Sequence, residues 1–131
     1  MKFAIIGCGR ISANHFAAAV ANGLDIVAIC DVVPQRMAEK AAAFGLEGVP
    51  QYTDYRRMLA DEAIDLAAIC TESGRHAAIA LDCIDAGVHL IIEKPIALSL
   101  TDADEIIRRS QAAGLVVSAC HQNRFNKSVQ K

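Results

Sequence analysis

Residues 2–12 read Lys2-Phe-Ala-Ile-Ile6-Gly7-Cys-Gly9-Arg10-Ile11-Ser12, an apolar run broken by two glycines before an alanine-rich segment begins. The run up to Ile6 has the length and β-branched content of a buried strand. Residues 11–22, closed by Gly23, have the composition of a helix that ends on glycine. A strand that turns on glycine directly into a helix aims free backbone N–H groups and the positive helix end at one point, which suits an anion. Gly7 serves the tight turn, Gly9 lets a phosphate approach the backbone, and Arg10 and Ile11 complete the loop. Ser12 stands at the third position, where such loops carry Gly or Ala, and is small enough to keep the helix close to the sheet.

The same alternation runs outward from this junction. Residues 25–30 form a second strand that ends in Asp31; Pro34 then opens a helix that Gly45 closes after Phe44. A short third strand is expected within 49–52, and a short helix over 54–60 with Thr53 or Asp54 as its cap. Strands follow at 65–70, 88–92 and 115–119, separated by a helix over 74–86 and by one that Leu98-Ser-Leu-Thr101 leads into and that ends at Gly114. Thr101 and Glu105 stand near capping-box spacing at the start of the latter. The residues from about Asn126 read as the start of a further helix. Helically connected strands in two groups of three specify an α/β fold: a doubly wound parallel Rossmann sheet, order 3-2-1-4-5-6, with helices on both faces. Residues 1–131 form one domain of this kind.

Composition agrees with that reading. The chain has 131 residues, 53% of them hydrophobic and 21% charged, with a net charge of −2. These values exclude a disordered chain and leave no electrostatic footprint for nucleic acid or an anionic membrane. No apolar run approaches the roughly 18 residues of a membrane span, and the first run is too short for a signal-peptide core. The protein therefore reads as cytoplasmic. Aromatic residues make up 5% and Trp is absent, so Ala, Ile, Leu and Val must build the core. The apolar surplus leaves room for a face that expects a partner domain or subunit. Five cysteines stand at positions 8, 30, 70, 83 and 120, with no CxxC spacing, and are expected as buried thiols. Cys120 beside His121 cannot supply a tetrahedral ligand set, so no metal is expected.

Four stretches carry polar chemistry. Asp31, 22 residues beyond Gly9, stands where a carboxylate accepts hydrogen bonds from an adenosine ribose and repels a 2′-phosphate. Val32 and Val33 add no positive charge and Arg36 is expected to face solvent, so NAD is favoured over NADP. Glu93-Lys94-Pro95 follows the fifth strand at the edge where parallel sheets bind ligands. Partial burial there would fit Lys94 for general acid/base work, and the alternative is a surface lysine beside a glutamate. The Lys94–Pro95 bond is open to either isomer. Thr71-Glu-Ser-Gly-Arg-His76, after the fourth strand, suits a ribose or nicotinamide contact, although His76 alone reads equally as a helix-surface residue. His121-Gln122-Asn-Arg124-Phe125 forms a polar cluster after the sixth strand.

Together these residues resemble the glucose-fructose oxidoreductase / inositol dehydrogenase / MocA family. The resemblance is carried by Gly7-x-Gly9-x-Ile11, by Thr71 with His76, by Ala86-Gly-x-His89 and by Glu93-Lys94-Pro95. Gln122-Asn-Arg124-Phe125-Asn126 is similar to the sugar-nucleotide branch, whose members oxidise the 3-hydroxyl of UDP-linked N-acetylated glucuronic acids. The resemblance implies NAD-dependent hydride transfer to or from a sugar, sugar-nucleotide or polyol carbon, with Lys94 assisting proton transfer. It implies that Glu93, Thr71 and His76 line the cofactor site and that Gln122 and Arg124 lie near nicotinamide or substrate. It also implies a second α/β substrate domain, absent from this chain, and a homo-oligomer for the complete enzyme. Lys131 would then fall at the start of the connecting helix, and this domain alone would turn over poorly. A second reading is a stand-alone NAD-binding or sensing module, which has no use for Lys94. A third, a cofactor-free scaffold, has Gly7, Gly9 and Asp31 against it.

Overall fold

The computed structural model describes residues 1–120. In β1 (Lys2–Ile6) every residue after Lys2 is buried: Phe3 and Ile5 belong to one apolar cluster, Ala4 and Ile6 to the other. A strand apolar on both faces has to be covered on both, and this places β1 in the middle of a parallel sheet. Its partners are β2 (Asp25–Cys30) and β4 (Leu66–Ile69); β3 (Gln51–Tyr52), β5 (His89–Glu93) and β6 (Val117–Cys120) extend the sheet outward. The order is β3-β2-β1-β4-β5-β6 with every pair parallel, as the two βαβ halves predict.

Helices α1 (Ser12–Ala21) and α2 (Pro34–Phe44) cover one face, where Phe16 and Met37 pack with Phe3, Ile5 and Ile29. Phe16 also stacks on Phe44, ring centroids 5.2 Å apart, and so ties α1 to the end of α2. The other face carries α3 (Tyr55–Asp61), α4 (His76–Asp85) and α5 (Leu100–Ala112), with Met58, Ile79 and Ile106 packed against Ile6, Ile69 and Ile92. Between β1 and β2 the register slips by one residue after Phe3, so Ile26 and Ala28 face opposite clusters with Val27 between them.

Pro34 opens α2 and Gly45, at φ 68°, closes it as expected. Several boundaries differ from the sequence expectation, four of them for an identifiable local reason. β3 is confined to two residues, because Pro50 has no N–H and the Val49 N–H is used in a turn onto the Leu46 carbonyl. α4 begins at His76, since residues 73–75 form a tighter 3-10 turn. α5 is capped by Ser99, whose Oγ accepts the Asp102 N–H at 3.1 Å, and Thr101 is already inside the helix. β6 starts late because the Leu115 N–H closes α5 onto the Ser110 carbonyl. Of the cysteines, Cys8, Cys30, Cys70 and Cys83 are buried, but Cys120 is only half-buried at the outer end of β6. No helix among the described residues is long and apolar enough to cross a membrane. The expected helix from Asn126 lies outside the described residues.

Candidate functional site

The loop between β1 and α1 is held from three sides. Gly7 has φ +97°, and a Cβ there would stand 2.6–2.8 Å from the backbone of Cys70 and Thr71, so only glycine fits against the end of β4. The Cys8 N–H donates to Asp31 Oδ2 at 2.7 Å, which ties the loop to the end of β2. Ser12 is fully buried and its Oγ donates to the Gly9 carbonyl at 2.6 Å. The third loop position therefore supplies a hydrogen bond as well as the small volume that the sequence suggests.

Around Gly9 the loop is open instead. A Cβ at Gly9 would meet nothing within 4 Å, so the protein itself does not require glycine there. The N–H groups of Gly9, Arg10 and Ile11 take no hydrogen bond among the described residues, while those of Ser12, Ala13 and Asn14 turn back onto the loop carbonyls. Three successive free N–H groups at a helix start form a concavity for an anion, and the open side of Gly9 gives a diphosphate room to approach.

This loop forms one wall of a crevice of about 490 Å³ over the ends of β1, β2 and β4. Gly7, Gly9, Arg10, Ile11, Asp31 and Thr71 all line it. Asp31 is 7% exposed; its Oδ1 accepts the Val33 N–H at 2.8 Å, and each carboxylate oxygen keeps a second lone pair for a ligand hydroxyl. Four arginines, Arg10, Arg36, Arg56 and Arg75, also line the crevice. Arg56 pairs with Asp82 at 3.0 Å and Arg75 reaches Glu72 at 3.9 Å, whereas Arg10 and Arg36 have no ion pair among the described residues. Arg36 is exposed, as the sequence suggests, and it also contributes to the crevice wall. Burial, with Asp31 adding to it, pushes the Cys8 and Cys30 thiols beneath this site up to about 12. Neither is a nucleophile at neutral pH.

The next strand end holds a second group. Glu93, the last residue of β5, is buried, and its Oε1 accepts a hydrogen bond from His15 Nε2 of α1 at 2.6 Å. Cys120 of β6 completes a trio whose donor atoms lie within 4.8 Å of one another. The His15–Glu93 contact is a hydrogen bond, shorter than the roughly 3.3 Å that two ligands of one tetrahedral zinc ion keep. Lys94 follows at the strand exit through a cis bond to Pro95. Both are exposed, and Lys94 does not line the crevice. The partial burial expected of Lys94 is not found, because β5 ends at Glu93 and the chain leaves the sheet there. His76 is not a helix-surface residue: it is 1% exposed, with Nδ1 2.8 Å from the Pro95 carbonyl and Nε2 2.8 Å from the Thr71 carbonyl. Gln122 and Arg124 lie outside the described residues.

Sequence reasoning missed His15 and Arg56, and reached Arg75 only as a member of the stretch 71–76. The single hint for His15 was its place three residues after Ser12, on the face that also carries Phe16 and Ala19.

Residues 1–121 match the GFO/IDH/MocA family, an oxidoreductase family with an NAD-binding Rossmann fold. The chain belongs to this family. It is 34% identical over 131 residues to a 4-carboxy-2-hydroxymuconate-6-semialdehyde dehydrogenase of Sphingobium, covering 99% of this chain and 41% of that protein. It is 35% identical over 130 residues to a D-apiose dehydrogenase of Paraburkholderia graminis, covering 98% and 34%. Among solved structures, the WlbA dehydrogenase of Bordetella pertussis, in complex with NADH and UDP-GlcNAcA, superposes with a TM-score of 0.89 at 33% identity, covering 98% of this chain and 39% of that one. The chain thus spans about two-fifths of the length of these relatives. It is an NAD-binding oxidoreductase domain of the GFO/IDH/MocA family, and the open glycine loop and Asp31 fit that cofactor.

Proposed function

We propose that this domain binds NAD in preference to NADP and serves a dehydrogenase of a sugar, polyol or sugar nucleotide. The observation that carries the reading is the set of three free N–H groups at Gly9, Arg10 and Ile11, residues that line the same crevice as Asp31. In this reading the free N–H groups and the helix start hold the diphosphate, and Asp31 accepts the adenosine ribose hydroxyls. The Asp31 carboxylate opposes a 2′-phosphate, while Arg10 and Arg36 soften that discrimination, so the preference for NAD is moderate. Thr71 and Glu93 border the nicotinamide end.

A bound NAD would supply the acceptor for a hydride from the substrate carbon. Lys94 stands at the β5 exit beside that end and donates to, or takes a proton from, the reacting oxygen. Its exposure fits a residue that a further part of the catalytic assembly would enclose. The same exposure also suits the second reading, a module that binds NAD without chemistry. Sugar-nucleotide substrates gain support from the UDP-GlcNAcA bound to the WlbA relative, and a homo-oligomer is the assembly we propose for the complete enzyme. The buried thiols of Cys8, Cys30, Cys70 and Cys83 accord with a reducing, cytoplasmic setting.

The test is NADH formation from NAD by the full product of the gene, with a panel of aldoses, inositols and UDP-linked N-acetylated sugar acids. Turnover on one class, reduced about 100-fold or more in Lys94→Met, is expected. Turnover unchanged in that variant removes Lys94 from the reaction, and NAD binding without turnover on any member favours the module.

A further inference from the structure

His76 sits at the first position of α4, almost wholly removed from solvent, with both ring nitrogens in use. Nδ1 is 2.8 Å from the Pro95 carbonyl oxygen and Nε2 is 2.8 Å from the Thr71 carbonyl oxygen. A carbonyl oxygen only accepts, so each contact requires an N–H on the ring. A neutral imidazole has one N–H and one bare lone pair; whichever tautomer it adopts, one of the two carbonyls would face that lone pair. A half-turn of the ring does not relieve this, because it sets the carbons Cδ2 and Cε1 against the two carbonyls and gives neither an N–H. Only the imidazolium, with a proton on each nitrogen, satisfies both.

We propose that His76 is a positioning residue held as the doubly protonated imidazolium, a buried cationic strap between the ends of β4 and β5. One end of the strap is Thr71, in the crevice wall; the other is Pro95, the residue after Lys94. On the other side of Lys94, Glu93 is held by His15 at 2.6 Å. The backbone that presents Lys94 is therefore gripped before and after it, from two different helices. The protonation state follows from the ring's own contacts, whereas the importance of the strap for Lys94 rests on the function proposed above.

Nitrogen-15 NMR of the histidine rings, recorded on this chain at neutral pH, reads the protonation directly, with His76 assigned through couplings to its own backbone. Both ring nitrogens are expected in the protonated class. One nitrogen of the bare, pyridine type would overturn the imidazolium without any need for a variant. The positioning role is read by NADH affinity in His76→Phe, which keeps the bulk and loses both donors, and in His76→Gln, which keeps an amide donor. A charge-assisted hydrogen bond is worth enough for affinity to fall about tenfold in the Phe variant. Partial recovery is expected in the Gln variant. Affinity equal to wild type in both variants would remove the strap. Wild-type protein that binds no NADH would instead overturn the proposed function, and the ring spectrum would still decide the protonation state.

Discussion

A methyl group added at Gly7 would press on the Cys70–Thr71 backbone at 2.6–2.8 Å, with φ at +97°, while one added at Gly9 would meet nothing within 4 Å. The two substitutions should separate folding from binding. Gly7→Ala is expected to lower unfolding stability by about 2–5 kcal/mol, from steric overlap and backbone strain together. Gly9→Ala should stay within about 1 kcal/mol of wild type. It should nevertheless bind NADH about tenfold or more weakly, since the methyl group takes the space left for the diphosphate. Urea unfolding and NADH titration of both variants check the pair, and equal losses of stability would contradict it. The cysteines give a second prediction at this scale. Burial pushes Cys8, Cys30 and Cys83 up to about 12 and raises Cys70 as well, which keeps these thiols protonated and poorly nucleophilic. In mildly alkaline buffer, Ellman's reagent should leave all four unreacted until the protein is unfolded. Rapid labelling of any of them in the folded state would contradict the burial.

At the scale of elements, the helix ends were only partly legible. Pro34 and Gly45 announce α2 unambiguously, because each has a backbone geometry that few other positions tolerate. The start of α5 is different: Ser99 and Thr101 both carry a hydroxyl at a plausible capping position. The choice falls to Ser99 because the loop after β5 delivers extended backbone there, φ −129°, and helix from Leu100 onward. Ser99→Ala should therefore cost about 1 kcal/mol and Thr101→Ala no more than about 0.5, compared by thermal or urea unfolding. The same helix carries an acid-sensitive cluster. Hydrogen bonds from Arg108 and Arg109 hold the Glu105 carboxyl down to about 2, against an ordinary value of 4.5. A lowered carboxyl stabilises the fold fully above pH 4.5, and that contribution is lost as the pH falls through about 2. The difference in thermal midpoint between wild type and Glu105→Gln should accordingly be present near neutrality and fade across that range. A difference that persists at the acid end would assign it to packing instead.

For the whole molecule, the strand order reverses between β1 and β4, and the crevice opens at that reversal. This much could be read from sequence, since Gly7, Gly9 and Asp31 stand at the ends of two recognisable strands. One partner of Asp31 could not: the Cys8 N–H meets it only once the glycine loop has closed over β2, whereas the Val33 N–H is a local contact two residues on. The His15–Glu93 bond joins residues 78 apart in the chain, and no local pattern encodes such a meeting. His76 was visible as a polar residue near the ligand edge, but its inward turn depends on two carbonyls brought together by separate strands. The sheet thus follows from local periodicity, while the support behind the site is tertiary. The central claim is that the crevice between the glycine loop and Asp31 holds NAD. The most direct test is a titration of this chain with NADH and, in parallel, NADPH, followed by the cofactor's own fluorescence. Saturable NADH binding, tighter than NADPH and weakened in the folded Gly9→Ala variant, is the predicted result. A folded wild-type chain that binds neither cofactor would contradict it.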